Sequence, residues 1–409
     1  MTHHIRNTCR LCDDSRLSAV LDLGSTPLAN AYSSDPRRAD EHYPVYLVRC
    51  EGCGHVQLPV VVDPRVLFSD YSYRSGTASS FRAHLSKLAW SLKEAGHRTL
   101  VDIGSNDGTL LALCKEIGLL GIGVDPAQNL AAAASQRCCL TVPAFFNGDV
   151  ARELRAILNY SPDVVTGLNV FAHADDLGAI ADGVRELIGN TGTFVFEVSY
   201  LLDVLEKNDI GTLYHEHLSI HHVAPLTDFF RRHGLALVDV QRIPAQGGSI
   251  RGFVRRDPDT ATIGGTERIA ECIGLELDMD LAGWPARVRK ERLETMALLA
   301  PYLSRPKPNH PEDSREGGRL AIYGAPARLT TYAYALGLRH QDVTCVFDDE
   351  PLKVGKATPG NHWPIVPSSE LMARNPDAIL ISAWPYAREI QARFPDFKGR
   401  WIVPPREAA

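Results

Sequence analysis

Short apolar runs that end in glycine or acidic turns alternate with longer stretches whose apolar residues recur every three or four positions. The first pattern predicts buried parallel strands and the second predicts helices laid on them. Strands are expected near 100–104, 121–125, 163–168 and 193–198. A helix carrying Phe81, Leu85, Leu88, Ala89 and Leu92 precedes them. Segments 236–242 and 249–254 read as a hairpin completing the sheet. A helical stretch over 262–303 and a polar, proline-bearing linker at 304–311 follow. A second α/β unit then starts with strand and glycine turn at 319–328, and further strands fall in 343–349 and 377–384. Before residue 66 the pattern is one of short strands, 43–48 among them. The expected organisation is α/β throughout, and 409 residues suffice for several cores. It comprises a small N-terminal domain at 1–65, a central Rossmann-like domain at 66–255, a helical connector and linker at 256–317, and a second Rossmann-like domain at 318–409.

The sharpest local signal is Asp102-Ile103-Gly104-Ser105-Asn106-Asp107-Gly108. A strand ends in an acid, glycines turn the chain, and a helix start offers unpaired N–H groups to a ligand. The next strand ends in Asp125-Pro126, whose carboxylate is placed to accept ribose hydroxyls. A nicotinamide fingerprint would read G-x-G-x-x-G. The spacing here instead resembles the first motif of class I S-adenosylmethionine methyltransferases, with Asp125 in their second-strand acidic position.

Nine cysteines divide into two groups. Cys9, Cys12, Cys50 and Cys53 form two C-x-x-C knuckles, which together close a tetrahedral thiolate site with no open position; structural zinc is the expected ion. His55 stands nearby as a bystander. Cys114, Cys138, Cys139, Cys272 and Cys345 sit in apolar contexts and read as reduced core residues. A formal net charge of −6 argues against a broad nucleic-acid footprint. No apolar run is long enough to span a bilayer, and residues 1–6 lack a signal-peptide pattern, so a cytoplasmic protein is expected. Oligomeric state leaves no mark in the sequence.

Polar chemistry concentrates at Tyr214-His215-Glu216-His217, beyond the strand that ends in Glu197-Val198-Ser199-Tyr200. Methylating carbon requires a base to remove a proton, and histidine is a free base near neutral pH that a carboxylate can orient. His173 follows the strand at 163–168, at the carboxyl edge where ligands of such sheets bind.

These motifs occur in order with Tyr71-Ser72-Tyr73-Arg74-Ser75-Gly76, Asn169-Val170-Phe171-Ala172-His173 and Gln246-Gly247-Gly248-Ser249-Ile250-Arg251. Together with Tyr323-Gly324-Ala325-Pro326-Ala327-Arg328, the pattern resembles the zinc-containing sugar C-methyltransferases over nearly the whole chain. Gln246 and Arg328-Leu329 depart from the His and Lys-Gly of many relatives. The resemblance implies S-adenosylmethionine and zinc as cofactors and a nucleotide-linked 4-keto deoxysugar as acceptor, methylated at C3 through an enolate. It implies His217 as the base, with Tyr214, Glu216, His173, Tyr71 and Tyr73 around the sugar. Asp102, Gly104, Asn106, Asp107, Gly108, Asp125, Pro126 and Asn169 would hold the donor, with Phe146 and Asn147 flanking its adenine. Gly247, Gly248, Arg251, Tyr323, Ala325 and Arg328 would meet the sugar nucleotide. The competing readings are an O- or N-methyltransferase and a non-catalytic sugar-nucleotide binder.

Overall fold

Strand Thr99–Ile103 puts alternate side chains on opposite faces of a sheet, and each face finds its own core. Leu100 packs with Phe81, Leu85, Leu88 and Leu92 of helix Ser79–Glu94 and with Leu111. Val101 and Ile103 pack on the other side with Phe194, Phe196 and helix Leu177–Ile188. That helix begins on a cap, the Asp176 carboxylate accepting the Ala179 N–H at 2.9 Å. Each fully buried Leu or Phe of this kind is worth about 1.5–3 kcal/mol.

The computed structural model describes residues 2–35, 37–71, 74–77, 79–137, 140–303, 305–307, 310–316 and 319–404. The chain divides into two compact units. The first comprises residues 1–19, 47–203 and 216–279. Its seven-stranded sheet runs Ala236–Ile243, Ser249–Arg255, Thr193–Ser199, Val164–Leu168, Thr99–Ile103, Leu120–Val124, Thr141–Val142. Pairing is parallel from Thr193–Ser199 to the last edge, and the expected hairpin joins antiparallel at the other. The strand order reverses between Thr99–Ile103 and Val164–Leu168, which opens a crevice at their carboxyl ends. Elsewhere in this unit, Val56–Gln57 pairs with Ser219–Ile220.

The second unit comprises residues 20–46, 204–215 and 280–409. The five strands of its largest sheet are all parallel, in the order Ile365–Pro367, Val346–Asp348, Leu320–Tyr323, Ala378–Ile381, Arg400–Ile402. Ala321, Tyr323, Phe347, Ile379 and Ile381 supply one core face. Trp284 is fully buried at the start of helix Trp284–Leu299, its indole N–H donating to Asn208 Oδ1 at 2.9 Å.

The helical stretch expected over 262–303 is two helices, Ile263–Glu276 and Trp284–Leu299. Pro285 in the first turn of the second starts it afresh, because a proline N is tolerated only there. The expected linker contains paired strands, Arg305–Lys307 and His310–Glu316, with Ser304, Pro308 and Asn309 outside the described residues. An antiparallel ladder uses backbone donors and acceptors that polar composition does not reveal. Cys114, Cys272 and Cys345 are buried free thiols, as expected; Cys138 and Cys139 lie outside the described residues. Among the described residues, no helix is long and apolar enough to cross a membrane.

Candidate active site

Two tight turns bring the knuckles together in the first unit. Asp13 N–H returns to Cys9 O at 3.0 Å, and Gly54 N–H, at a φ of +83°, returns to Cys50 O at 2.9 Å. The four Sγ atoms lie within 4.8 Å of one another, with Cys9–Cys53 at 3.6 Å and Cys12–Cys50 at 3.5 Å. Zinc–sulfur bonds of about 2.3 Å place tetrahedral sulfurs about 3.8 Å apart, so the quartet fits zinc and leaves no position for substrate. His55 stays outside it and meets Ser219 Oγ at 3.1 Å.

The turn expected to hold the donor is shaped by backbone that only glycine adopts without strain. Gly104 has a φ of +69°, and a Cβ there would stand 2.2 Å from Val170 Cγ2. Gly108, at +73°, leads directly into helix Thr109–Glu116. Asp125 holds the turn, its two carboxylate oxygens accepting Asn106 N–H at 2.7 Å and Ala127 N–H at 2.8 Å. Each oxygen keeps a further lone pair for a ribose hydroxyl. Burial raises the Asp125 pKa despite those two bonds. Asp102 is buried beneath the turn, accepts the Thr166 hydroxyl at 2.6 Å, and has its pKa pushed up by burial to about 7. Ser105 Oγ is shielded from solvent and has no hydrogen-bond partner among the described residues. A glycine cradle, a carboxylate and an orphaned hydroxyl suit the polar donor.

Segment 74–77 lies against this turn, a feature the sequence reading missed. Ser75 N–H donates to Asn106 Oδ1 at 2.9 Å and Gly76 N–H to Asp107 Oδ2 at 3.3 Å. Asn169 adopts a φ of +58° at the end of its strand, its N–H bonded to Glu197 O at 2.8 Å. Pro126 follows Asp125 at the turn's far side. Asn147 caps helix Gly148–Leu158, its Oδ1 accepting from Asp149 and Val150 N–H, and Phe146 packs against the core. Helix capping and core packing account for the contacts of these two.

The histidines converge. The rings of His173 and His217 stack with centroids 5.1 Å apart, and Phe68 stacks on His173 at 5.6 Å. Tyr71 adjoins Phe68, and its hydroxyl donates to Glu216 Oε2 at 2.7 Å. Glu216 is buried. His173 Nε2 is shielded and has no hydrogen-bond partner among the described residues. Burial, and then the neighbouring His217, hold the His173 pKa well below the ordinary histidine value, so the ring is neutral near pH 7. Tyr214 belongs to the second unit, as does His215, whose Nε2 meets Tyr43 O at 3.2 Å. Tyr73 lies outside the described residues.

Arg251 is engaged inside the first unit. Its Nε donates to Glu197 Oε1 at 2.7 Å, while His84 Nε2 sits 2.8 Å from Glu197 Oε2. Burial pushes the Glu197 pKa up, but His84 and Arg251 outweigh it and bring the carboxyl below its usual range. The sequence reading missed His84 and Glu197 as a pair; an acid inside an otherwise apolar strand was the signal. Gly247 and Gly248 have φ of +99° and +131°, and a Cβ at Gly248 would meet Asp203 Cγ at 2.4 Å.

The remaining expected substrate residues gather around one turn of the second unit. Ala325 N–H donates to Asp348 Oδ2 at 2.6 Å, and its carbonyl accepts Lys353 Nζ at 2.9 Å. Arg328 pairs with Asp209 at 3.0 Å and lies over the Trp384 ring. The Tyr323 hydroxyl donates to Asp349 Oδ2 at 3.1 Å.

Family models match this chain in three consecutive stretches: a zinc binding domain over 9–68, a methyltransferase domain over 73–240, and a C-methyltransferase C-terminal domain over 244–405. The C-methyltransferase NovU of Streptomyces niveus is 33% identical over 411 residues, covering 97% of this chain and 94% of that protein. Among solved structures, magnesium protoporphyrin IX methyltransferase from Synechocystis PCC 6803 with bound SAH is 17% identical. It covers 43% of this chain and 83% of that one at a TM-score of 0.34. The mitomycin 7-O-methyltransferase MmcR is 18% identical, covering 44% of this chain and 55% of that one, at 0.35. Structural likeness of that degree identifies no chemistry.

Proposed function

The chain belongs to the C-methyltransferase family, and from that premise we propose that its acceptor is a nucleotide-linked 4-keto deoxysugar, methylated at C3 through an enolate. It is an S-adenosylmethionine-dependent C-methyltransferase with a structural zinc site. The observation that carries the finer reading is the stacked His173–His217 pair beside the partly buried Tyr71–Glu216 hydrogen bond.

A C4 ketone acidifies the C3 hydrogen of such a sugar, and a His217 ring nitrogen takes that proton. Neutral His173 offers Nε2–H to the enolate oxygen as negative charge develops there; a donor already in place lowers the barrier most. Glu216, fixed by Tyr71, supports the positive charge that His217 acquires. S-adenosylmethionine, when bound, supplies an electrophilic methyl group. The Gly104–Gly108 turn and Asp125 hold and orient it, with Asp102, Asn106, Asp107, Pro126 and Asn169 around the site. Arg328 presents a cation suited to a nucleotide phosphate.

Incubation with methyl-labelled donor and a panel of nucleotide-linked 4-keto sugars, followed by NMR, tests the reading. A new C3–methyl bond is expected in at least one acceptor. Label on oxygen or nitrogen, or no transfer to any keto sugar, refutes it.

A further inference from the structure

We propose that Arg10 is a positioning residue for the reaction: from within the first cysteine knuckle its guanidinium clamps the two chain segments that carry His173 and His217. The proposal rests on the reading of those histidines as the proton-handling pair.

Arg10 lies between two zinc ligands, Cys9 and Cys12, and its side chain is 0% exposed. Its Nη1 donates to Leu218 O at 3.1 Å and to Leu58 O at 2.7 Å. Its Nε donates to Asp175 Oδ1 at 3.0 Å. Leu218 directly follows His217, and Asp175 lies two residues beyond His173. The same segments are stitched by the Ser219 N–H, which donates to Ala172 O at 3.1 Å. One rigid fork therefore reaches both segments, and the knuckle on either side of Arg10 holds its backbone in place.

The placement has a physical cost that zinc binding does not require. Four thiolates satisfy the metal, yet a guanidinium has been taken out of water, at a cost of several kcal/mol per ion that the bonds from Nε and Nη1 offset only in part, since buried Nη2 has no hydrogen-bond partner among the described residues. Its acceptors are not in the knuckle; they are the residues beside the histidines and Leu58, whose own N–H also bonds Leu218 O at 2.9 Å. Arg6 reinforces the same anchor, its Nη1 donating to Asp175 O at 3.0 Å. The His173–His217 stack depends on the relative placement of two segments distant in sequence, and a shift of about 1 Å at reacting groups can lower a rate about 100-fold. The structural zinc thus reaches the chemistry through Arg10. A lysine presents a single point charge and meets only part of this geometry.

The test compares Arg10→Gln, Arg10→Lys and Asp175→Asn in the full-length chain. Zinc content, kcat, the KM of donor and acceptor, and the imidazole proton resonances of His173 and His217 are measured; His173→Asn and His217→Asn assign the resonances. Arg10→Gln should keep one zinc per chain, lose the ring-stacking shifts of both histidines, and lower kcat by about 10- to 100-fold, the range over which a misplaced group costs rate. The donor KM should stay unchanged, and Arg10→Lys should restore part of kcat and of the shifts. Unmoved resonances with full zinc overturn the proposal, as does a kcat loss that appears only when zinc is lost. If Arg10→Gln fails to fold, Asp175→Asn decides: it should move the His173 resonance with zinc retained, and no movement refutes the clamp. Failure of the base assignment looks different, because His217→Asn would then keep its turnover while the resonances still report on Arg10.

Discussion

The parallel strands of the two sheets build the same turn twice. In the first unit Gly104 N–H donates to Val124 O at 2.7 Å, and in the second Gly324 N–H donates to Phe347 O, also at 2.7 Å. An acid closing the second strand clamps each turn. Asp125 accepts Asn106 and Ala127 N–H, and Asp348 accepts Ala325 and Glu350 N–H at 2.6 and 2.8 Å. A residue following the fourth strand covers each glycine, Val170 over Gly104 and Ala383 over Gly324. What differs is the company. The first turn is lined by Asp102, Ser105, Asn106 and Asp107, whereas buried Lys353 and half-buried Arg328 stand at the second. The backbone device is generic to the strand order, and the flanking charges decide which ligand each turn suits.

The largest effect separates the zinc knuckles from both turns. Cys50→Ser should lose the metal and the solubility of the chain, because structural zinc contributes on the order of 10 kcal/mol to folding in small domains. Metal analysis and thermal denaturation check this; a zinc-free, fully stable preparation would refute the structural role.

Next, the two acids can be set against each other. Asp125→Ala should weaken S-adenosylmethionine binding by about 1.5–3 kcal/mol, the worth of hydrogen bonds to a charged group. Asp348→Ala should leave donor affinity where it was. Calorimetry on both variants sharpens the comparison, and equal losses would erase it.

The glycines differ in the same graded way. Gly104→Ala drives a Cβ to 2.2 Å from Val170 Cγ2, while Gly324→Ala brings one to 2.8 Å from Ala383 Cβ, both at positive φ. Each should destabilise its unit by about 1–3 kcal/mol through backbone strain, and the first should lose donor binding as well. Denaturant titration beside calorimetry distinguishes them.

A pH dependence supplies a further test. Burial pushes the Asp102 pKa up to about 7 from an ordinary 3.8. The folded chain therefore holds a proton that the unfolded chain releases, so Asp102 lowers stability as pH rises from about 4 to 7. Asp102→Asn should remove that slope relative to the parent chain; parallel stability profiles would show that Asp102 titrates normally.

The sequence made both turns legible because their geometry demands glycine and an acid at fixed offsets in local chain. The knuckles were equally plain, since C-x-x-C spacing is itself the geometry. His173 and His217 were individually visible, but their stacking depends on segments far apart in sequence. The same distance hid Arg10, which reads as an ordinary residue between two cysteines, and the His84–Glu197–Arg251 group, assembled from one helix and two strands. Phe146 and Asn147 carry core packing and a helix cap, contacts that depend on the fold around them and are not displayed by local sequence.

The central claim is that His217 removes the C3 proton, and hydrogen exchange tests it apart from methyl transfer. His217→Asn and the parent chain are incubated in deuterated water with the accepted keto sugar nucleotide, and C3 deuterium is followed by NMR. The parent should exchange C3–H, and the variant should lose exchange and methylation together by about two to four orders of magnitude, the usual worth of a general base. Donor affinity should be retained. A folded His217→Asn that exchanges and methylates at the parent rate would contradict the account.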